Sequence, residues 1–198
     1  TTGTECTAIG YKTLRANTTG SANIAIGNQT LLFNTTGHKN TAVGVGSLYN
    51  NTIGSQNVAV GYNSLKSNTT ANSNSAFGFG SLEFNTTGAN NSAIGKGALR
   101  HNTTANDNTA MGYDALVSNT TGYNNTALGK NALYTNTSAF DCIAVGYNTL
   151  YNSTANYGTA VGSNALHANT TGDYNTAVGR NTMLSNTTGR FNTAVGSG

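Results

Sequence analysis

Hydrophobic and polar positions recur along this chain with a period of 17 residues. Each copy is marked by a glycine that follows Ala and one apolar residue, and successive marker glycines are 17 residues apart in ten cases and 16 in one. Self-similarity at a fixed period indicates a repeat architecture in which each copy is one structural unit. The marker glycines, taken below as position 0 of each repeat, are Gly10, Gly27, Gly44, Gly61, Gly78, Gly95, Gly112, Gly129, Gly146, Gly162, Gly179 and Gly196.

Written from its Asn, the unit reads roughly N-T-A-(V/I)-G-x-x-(A/S/T)-L-x-x-N-T-T-(G/A)-x-x. The Ala before the apolar residue occurs in every copy, and Met183 is the only substitute for the Leu at position 4. The one shorter repeat has a deletion after Leu150, beside a turn, where a change of length is best tolerated. The uniformity of the copies favours a stack of near-identical units.

Alternation within N-T-A-V-G places Asn, Ala and Gly on one face of a strand and Thr and Val on the other. The pattern alone leaves open which face is inward, and we expect an Ala/Val/Leu interior. The segment x-x-(A/S/T)-L is interpreted as a second strand and N-T-T-(G/A) as a turn. We therefore predict an all-β fold, a β-solenoid or β-roll with one 17-residue repeat per rung and about two short strands in each. Residues 1–198 form a single array of about twelve repeats, which we expect to be a segment of a longer array.

Stacking identical rungs ~4.8 Å apart would build a rod ~55 Å long with like residues above like. Two asparagine ladders follow, in which side-chain amides bond to one another along the rod. The first comprises Asn17, Asn34, Asn51, Asn68, Asn85, Asn102, Asn119, Asn136, Asn169 and Asn186, and the second Asn23, Asn40, Asn57, Asn74, Asn91, Asn108, Asn125, Asn175 and Asn192.

Composition changes this picture little. The chain has 8% charged residues, no proline and many Gly, Asn, Thr and Ser. An aperiodic chain of this composition would be expected to be disordered, but strict periodicity lets stacked units bury the same apolar residues at every level. All the charged residues fall at positions 1, 2, 5, 11 or 12, outside the predicted interior. The scattered net charge of +3 gives little support to nucleic-acid binding, and no apolar run reaches the ~18 residues of a membrane span.

Candidate chemistry is sparse. His38, His101 and His167 occupy different positions on distant repeats, and the carboxylates are equally dispersed, so we expect no catalytic, cofactor or metal site and no enzyme. Cys6 and Cys142 share the position of the second Asn ladder, eight repeats or ~38 Å apart, which excludes a disulfide within one chain. We expect two free buried thiols, with bridges between symmetry-related chains as the alternative.

The N-T-T turns also create N-x-(S/T) sequons. Turn and ladder chemistry is the favoured interpretation, and glycosylation becomes the alternative if these Asn side chains face outward. The candidate glycosylation residues are Asn17, Asn34, Asn68, Asn85, Asn102, Asn119, Asn136, Asn152, Asn169 and Asn186.

Aromatic residues in variable positions are the candidates for an interface or a glycan contact. Rings on a polar rod need a partner, and we favour packing between chains over stacking against sugars. These residues are Phe33, Tyr49, Phe84, Tyr123, Phe140, Tyr157, Tyr174 and Phe191.

The motif N-T-A-V-G-x-x-A-L resembles the tandem repeats of phage, viral and bacterial fibre proteins over essentially the whole chain. It is similar, more loosely, to the A-x-A-x-G-x-x-(S/A) head repeats of trimeric autotransporter adhesins. The first resemblance implies a structural shaft that is extracellular, on a cell surface or part of a virion fibre. The second implies a left-handed β-roll that trimerises.

We therefore expect a structural fibre or filament that self-associates, as a lateral homo-oligomer such as a trimer or end to end. The alternative is an adhesin or receptor-binding tail-fibre region that recognises surface glycans. A lesser alternative is ice binding, because the turns stack paired threonines such as Thr18 and Thr19. Neither nucleic acid nor an inserted membrane segment is among the expected partners.

Overall fold

The computed structural model describes residues 3–198, which form a β-solenoid with one repeat per rung. The predicted all-β fold is confirmed, whereas Thr1 and Thr2 of the predicted array lie outside the described residues. Each rung contributes one three-residue strand. The strands are β1 (Thr7–Ile9), β2 (Ile24–Ile26), β3 (Thr41–Val43), β4 (Val58–Val60), β5 (Ser75–Phe77), β6 (Ser92–Ile94), β7 (Thr109–Met111), β8 (Thr126–Leu128), β9 (Ile143–Val145), β10 (Thr159–Val161), β11 (Thr176–Val178) and β12 (Thr193–Val195).

The strands form one parallel sheet in chain order, and each pairs with the next at the same position of the repeat. Ala8 lies opposite Ala25, for example, one repeat later. Across the shorter repeat, Ala144 still pairs with Ala160, so the deletion is absorbed by the turn. In that repeat Thr154 Oγ1 donates to Thr170 O, the contact that threonines at position 8 make in other rungs. Thr154 therefore occupies position 8, and the residue deleted from this repeat is the one at position 9. Register is therefore maintained along the whole described array.

The core consists of columns of small and large apolar side chains. The strand Ala at position 15 and the Leu at position 4 both point inward, and from Leu31 to Leu166 every such Leu is fully buried. Leu14 and Met183, near the two ends, are only partly buried. Each rung adds the same small apolar set, so the core grows by stacking and not by thickening.

The apolar residue at position 16 faces outward, which corrects the expected Ala/Val/Leu interior. Ile26, Phe77 and Met111 are 37%, 40% and 47% exposed, whereas the neighbouring Ala in each strand is buried. Alternation within a strand requires opposite faces for adjacent residues, and the buried Ala of each strand takes the inner side. Asn, Ala and Gly therefore form the inner face.

The second strand expected in each rung is not formed. The residues at positions 2 and 4 adopt positive φ angles, such as 58° at Asn131 and 51° at Leu82, and these left-handed residues bend the segment twice. Its backbone still bonds to the next rung, as from Leu82 N to Ala98 O at 3.0 Å. Burial of the Leu side chain and this hydrogen bond offset a conformation that L-residues seldom adopt.

The marker glycines are required by close packing between rungs. Gly112 has a φ of 143°, and a Cβ built on it would lie 2.5 Å from the carbonyl oxygen of Gly129 in the next rung. A side chain here would push two rungs apart as well as strain its own backbone.

Two glycine substitutions test this account. Gly112→Ala should lower the free energy of unfolding by about 2 kcal/mol or more, because both φ and the rung spacing resist a Cβ. Gly46→Asn should change it by less than about 0.5 kcal/mol, since other rungs place Asn at this position at positive φ, and the atom 2.5 Å from a Cβ there is Asn63 Oδ1, the end of a side chain that can rotate away. Denaturant unfolding followed by circular dichroism measures both, and equal losses would contradict the packing argument.

Candidate functional site

Two ladders of buried asparagines run along the interior, as predicted. In the first, each amide nitrogen donates to the Asn oxygen of the previous rung, as from Asn51 to Asn34 at 2.8 Å, and to a carbonyl that closes its own turn, here Gly54 O at 2.9 Å. In the second, Asn40 donates its backbone N–H to Asn23 Oδ1 at 3.0 Å and its side-chain amide to Gly54 O at 2.9 Å. A buried amide without partners is costly, so the ladders hold the rungs in register.

The shorter repeat interrupts both ladders. Ser153 replaces the first Asn and accepts from Asn169 at 3.3 Å, while Gly158 replaces the second. One rung earlier, Asn136 Oδ1 accepts from Ala139 within its own turn. As a result Asn119 Oδ1 is the one buried side-chain polar atom of residues 3–198 without a hydrogen-bond partner. The register is thus least well held around this repeat.

Most candidate glycosylation residues belong to the first ladder. Their amide nitrogens, where a glycan would be attached, donate inside the solenoid, and seven are fully buried, namely Asn34, Asn68, Asn85, Asn102, Asn119, Asn136 and Asn169. Asn17 and Asn186 are half-buried ladder members. Asn152 is different, because it lies at position 6, is half-buried and is not a ladder member. Among these ten candidates Asn152 is therefore the one at which the folded rod best accommodates a glycan, and its modification stays a prediction.

The eight candidate aromatic residues are brought together by stacking within the chain. Tyr123, Phe140, Tyr157, Tyr174 and Phe191 form one ladder on five successive rungs, with ring centroids 4.9, 5.1, 4.5 and 5.0 Å apart. The other three form two shorter contacts, Phe33 with Tyr49 at 5.2 Å and Phe84 with His101 at 5.3 Å. Each ring therefore has a ring neighbour in its own chain. Three of the four contacts in this ladder are stacked and cover ring faces, whereas Phe140 and Tyr157 meet edge to face, with their planes at 81°.

A second ladder, at position 1, combines aromatic rings with lysines. Tyr62 and Phe79 stack at 5.2 Å, and the ammonium of Lys96 then lies 5.9 Å from the Phe79 ring and 5.4 Å from that of Tyr113. Lys130 continues the ladder at 5.6 Å from Tyr113 and 6.0 Å from Tyr147. That rings and lysines share one position on consecutive rungs was not predicted from the sequence. Each exposed cation–π contact contributes about 0.5–1 kcal/mol.

Charged side chains pair across rungs where opposite charges share a position. Arg100 contacts Glu83 at 2.8 Å, and Arg190 contacts Asp173 at 3.0 Å. The three histidines lie beside different neighbours, His38 near Ser55 for example. Nowhere in residues 3–198 do three or more His, Cys, Asp or Glu side chains come close enough together to hold a metal ion.

The two cysteines are free, as expected, but only Cys142 is buried. Cys6 is exposed, which corrects the expectation of two buried thiols; it lies directly before β1, the first strand of the described residues. Cys142 Sγ donates to Ala155 O at 3.2 Å. Burial raises the pKa of the Cys142 thiol to about 11, against which its backbone hydrogen bonds act only partly.

The threonines that begin the N-T-T turns use their hydroxyl groups within the rod. Thr35 Oγ1 donates to Thr52 O at 3.0 Å, and Thr52 Oγ1 donates in turn to Thr69 O at 3.0 Å. These donors are directed along the stack. Ice binding by the turn threonines, which no observation tests, stays a prediction.

Comparisons with protein-family models, with curated proteins and with solved structures found no match. Within the described part of the chain, no helix has the length and apolar character needed to traverse a bilayer.

The cysteines offer an internal comparison of reactivity. At pH 8 Cys6 should be alkylated by iodoacetamide within minutes, whereas Cys142 should remain unmodified until the chain unfolds, because it is buried and its thiolate is disfavoured. Peptide mass spectrometry with and without denaturant measures both. Equal alkylation rates of Cys6 and Cys142 in the native chain would contradict the buried position of Cys142.

The raised pKa of Cys142 also predicts how stability depends on pH. Because this thiol ionises at a lower pH in the unfolded chain than in the folded one, the free energy of unfolding should fall as pH rises from about 9 towards about 11.

Proposed function

We propose that the chain is a structural rod, a shaft segment that sets distance, and that it is not an enzyme. The observation that carries the proposal is the unbroken parallel pairing from β1 to β12, in which every strand meets the same position of the next repeat. Each 17 residues then add one rung, ~4.8 Å, to the length of the rod. Length becomes a simple function of repeat number.

The interior supports a stiff and durable rod. Asn51, Asn68 and Asn102, among others, are fully buried and bonded to neighbours on adjacent rungs. Backbone held in this way is poorly accessible to proteases, which need local opening. On the resemblance to fibre proteins we propose a location outside the cell, on a cell surface or on a virion, where such resistance is useful.

Repeat insertion tests the rod directly. Duplicating residues 41–108, four whole repeats, should lengthen the particle by about 19 Å, roughly a third, because rungs add in a line. A compact globule given the same residues would grow by only about a tenth. Small-angle X-ray scattering measures the maximum dimension, and the matched control inserts the same 68 residues in shuffled order. A growth of a tenth, or equal scattering from both insertions, would contradict the proposal.

Recognition of an anionic glycan is a second candidate function, and a groove near the first rungs favours it. Lys12, Arg15, Gln29, Phe33 and Tyr49 contribute to a groove of about 500 Å³, within the range of small-ligand sites. Neither Lys12 nor Arg15 is in an ion pair with the described residues. Two cations beside exposed aromatic rings suit a sugar carboxylate.

Binding of a hexuronic acid oligosaccharide, measured by calorimetry, tests this candidate. Lys12→Glu with Arg15→Glu should weaken binding at least about tenfold through loss of both cations, or about 1.4 kcal/mol. The control, Lys66→Glu with Arg180→Glu, makes the same charge change away from the groove and should leave the affinity unaltered. Absence of binding, or an equal loss in both variants, would remove the candidate.

A further inference from the structure

The outer face of the sheet is continuous, uncharged and uncovered. It is formed by the outward residues at positions 14 and 16, which flank the Ala of every strand from β1 to β12, and this Ala is buried from β2 to β11. Position 14 holds Thr, Ser, Val or Ile, and position 16 holds only apolar residues. Ile94 and Ile143, for example, are 41% and 45% exposed. Unlike the aromatic residues at positions 11 and 12, which stack on one another along the chain, this face has nothing packed upon it.

The face is large enough for a stable contact. Twelve rungs at ~4.8 Å and the five residues from position 14 to position 1 at ~3.3 Å give roughly 55 Å by 13 Å, or about 700 Å² before side-chain relief is counted. A standard specific interface buries about 800 Å² on each partner. Within this area the residues at position 16 form one continuous apolar column, and position 14 beside it is Thr or Ser in nine of the twelve strands.

The two edges of the face carry opposite charges near its middle. After the strands, at position 1, lie Lys96 and Lys130, next to β6 and β8. Before the strands, at position 12, lie Asp107 and Asp141, next to β7 and β9. None of the four is in an ion pair within residues 3–198. An apolar centre with a polar, charged rim is the usual anatomy of a protein interface.

Relative orientation decides which edges meet. If two copies face each other with their rods parallel, a two-fold axis along the rod places the position 1 edge of each against the position 12 edge of the other. Lys130 of one copy then lies level with the gap between Asp107 and Asp141 of the second. If the rods are antiparallel, like edges meet, and Lys96 and Lys130 face the same lysine edge. Charge complementarity therefore favours the parallel arrangement.

We propose that the outer face of the sheet is the surface through which copies of this chain associate side by side, with their rods parallel. The partner on this face is a second copy of the chain, and the apolar column at position 16 makes the contact. The charged edges determine that the two rods run parallel. The inference deepens the proposed function and rests on it, since only a straight rod presents the face as one surface.

Two substitutions on the face test the contact. Ile94→Lys with Leu128→Lys places two unpaired ammonium groups in the proposed centre. The matched control, Ser118→Lys with Leu184→Lys, adds the same charges at positions 6 and 5 on another side of the rod. By analytical ultracentrifugation the wild-type chain should associate reversibly. The dissociation constant should rise at least tenfold in the face variant and less than threefold in the control. A wild-type chain that stays monomeric, or equal weakening in both variants, would overturn the proposal.

Reversing one edge tests the direction. Lys96→Glu with Lys130→Glu makes both edges acidic, so a parallel contact should weaken several-fold, and mixing with an Asp107→Lys, Asp141→Lys variant should restore association. The control Arg15→Glu with Lys66→Glu makes the same charge change at position 5. Association that is unchanged by the edge variant would overturn the parallel orientation. Small-angle scattering of each variant separates the outcomes: a monomer with the wild-type rod length defeats the pairing alone, whereas loss of the rod defeats the proposed function.

Discussion

Hydrogen bonding between buried amides on adjacent rungs is the interaction on which the rest of this structure depends. The polar interior would be unfavourable if its asparagines were unpaired, and each amide can be paired only when the next rung lies in register. Asn34, Asn51 and Asn68 show the pattern, with each oxygen accepting from the following rung. One alignment satisfies all of the buried ladder amides except Asn119 Oδ1, which is why small side chains and few charges suffice to define a single fold.

The surface follows from the same register. Because every rung repeats the same positions, any two residues that share an outward position become neighbours, whatever their chemistry. Aromatic rings then stack, as Tyr157 and Tyr174 do, and unlike charges pair, as Glu83 and Arg100 do. Position 16 behaves differently because it repeats an apolar residue in every rung. The rod thereby combines columns of side chains that contact one another along the chain with one broad face whose apolar residues stay exposed.

The period, the β-solenoid and the asparagine ladders could all be predicted from the sequence, since the residues responsible recur in nearly every copy. The single strand per rung could not, because a left-handed backbone at Leu82 or Leu99 is invisible to residue propensities. The alternation within N-T-A-V-G could not show which face of the strand is inward, because both the Ala side and the Val side are apolar. The candidate aromatics were identified by position, but the deletion moves the stack from position 11 at Phe140 to position 12 at Tyr157, so their continuity appeared only in three dimensions.

Distances between spin labels along the rod test the central claim of register-locked stacking most directly. Both native cysteines would be replaced by Asn, the residue at that position in most rungs, and labels placed pairwise at Ala16, Ser118 and Ser185, all at position 6. The account predicts narrow distances near 29 Å for the first pair, near 19 Å for the second and near 48 Å for the outer pair, which follow from ~4.8 Å per rung. Broad distributions, or an outer distance well short of the other two combined, would contradict it.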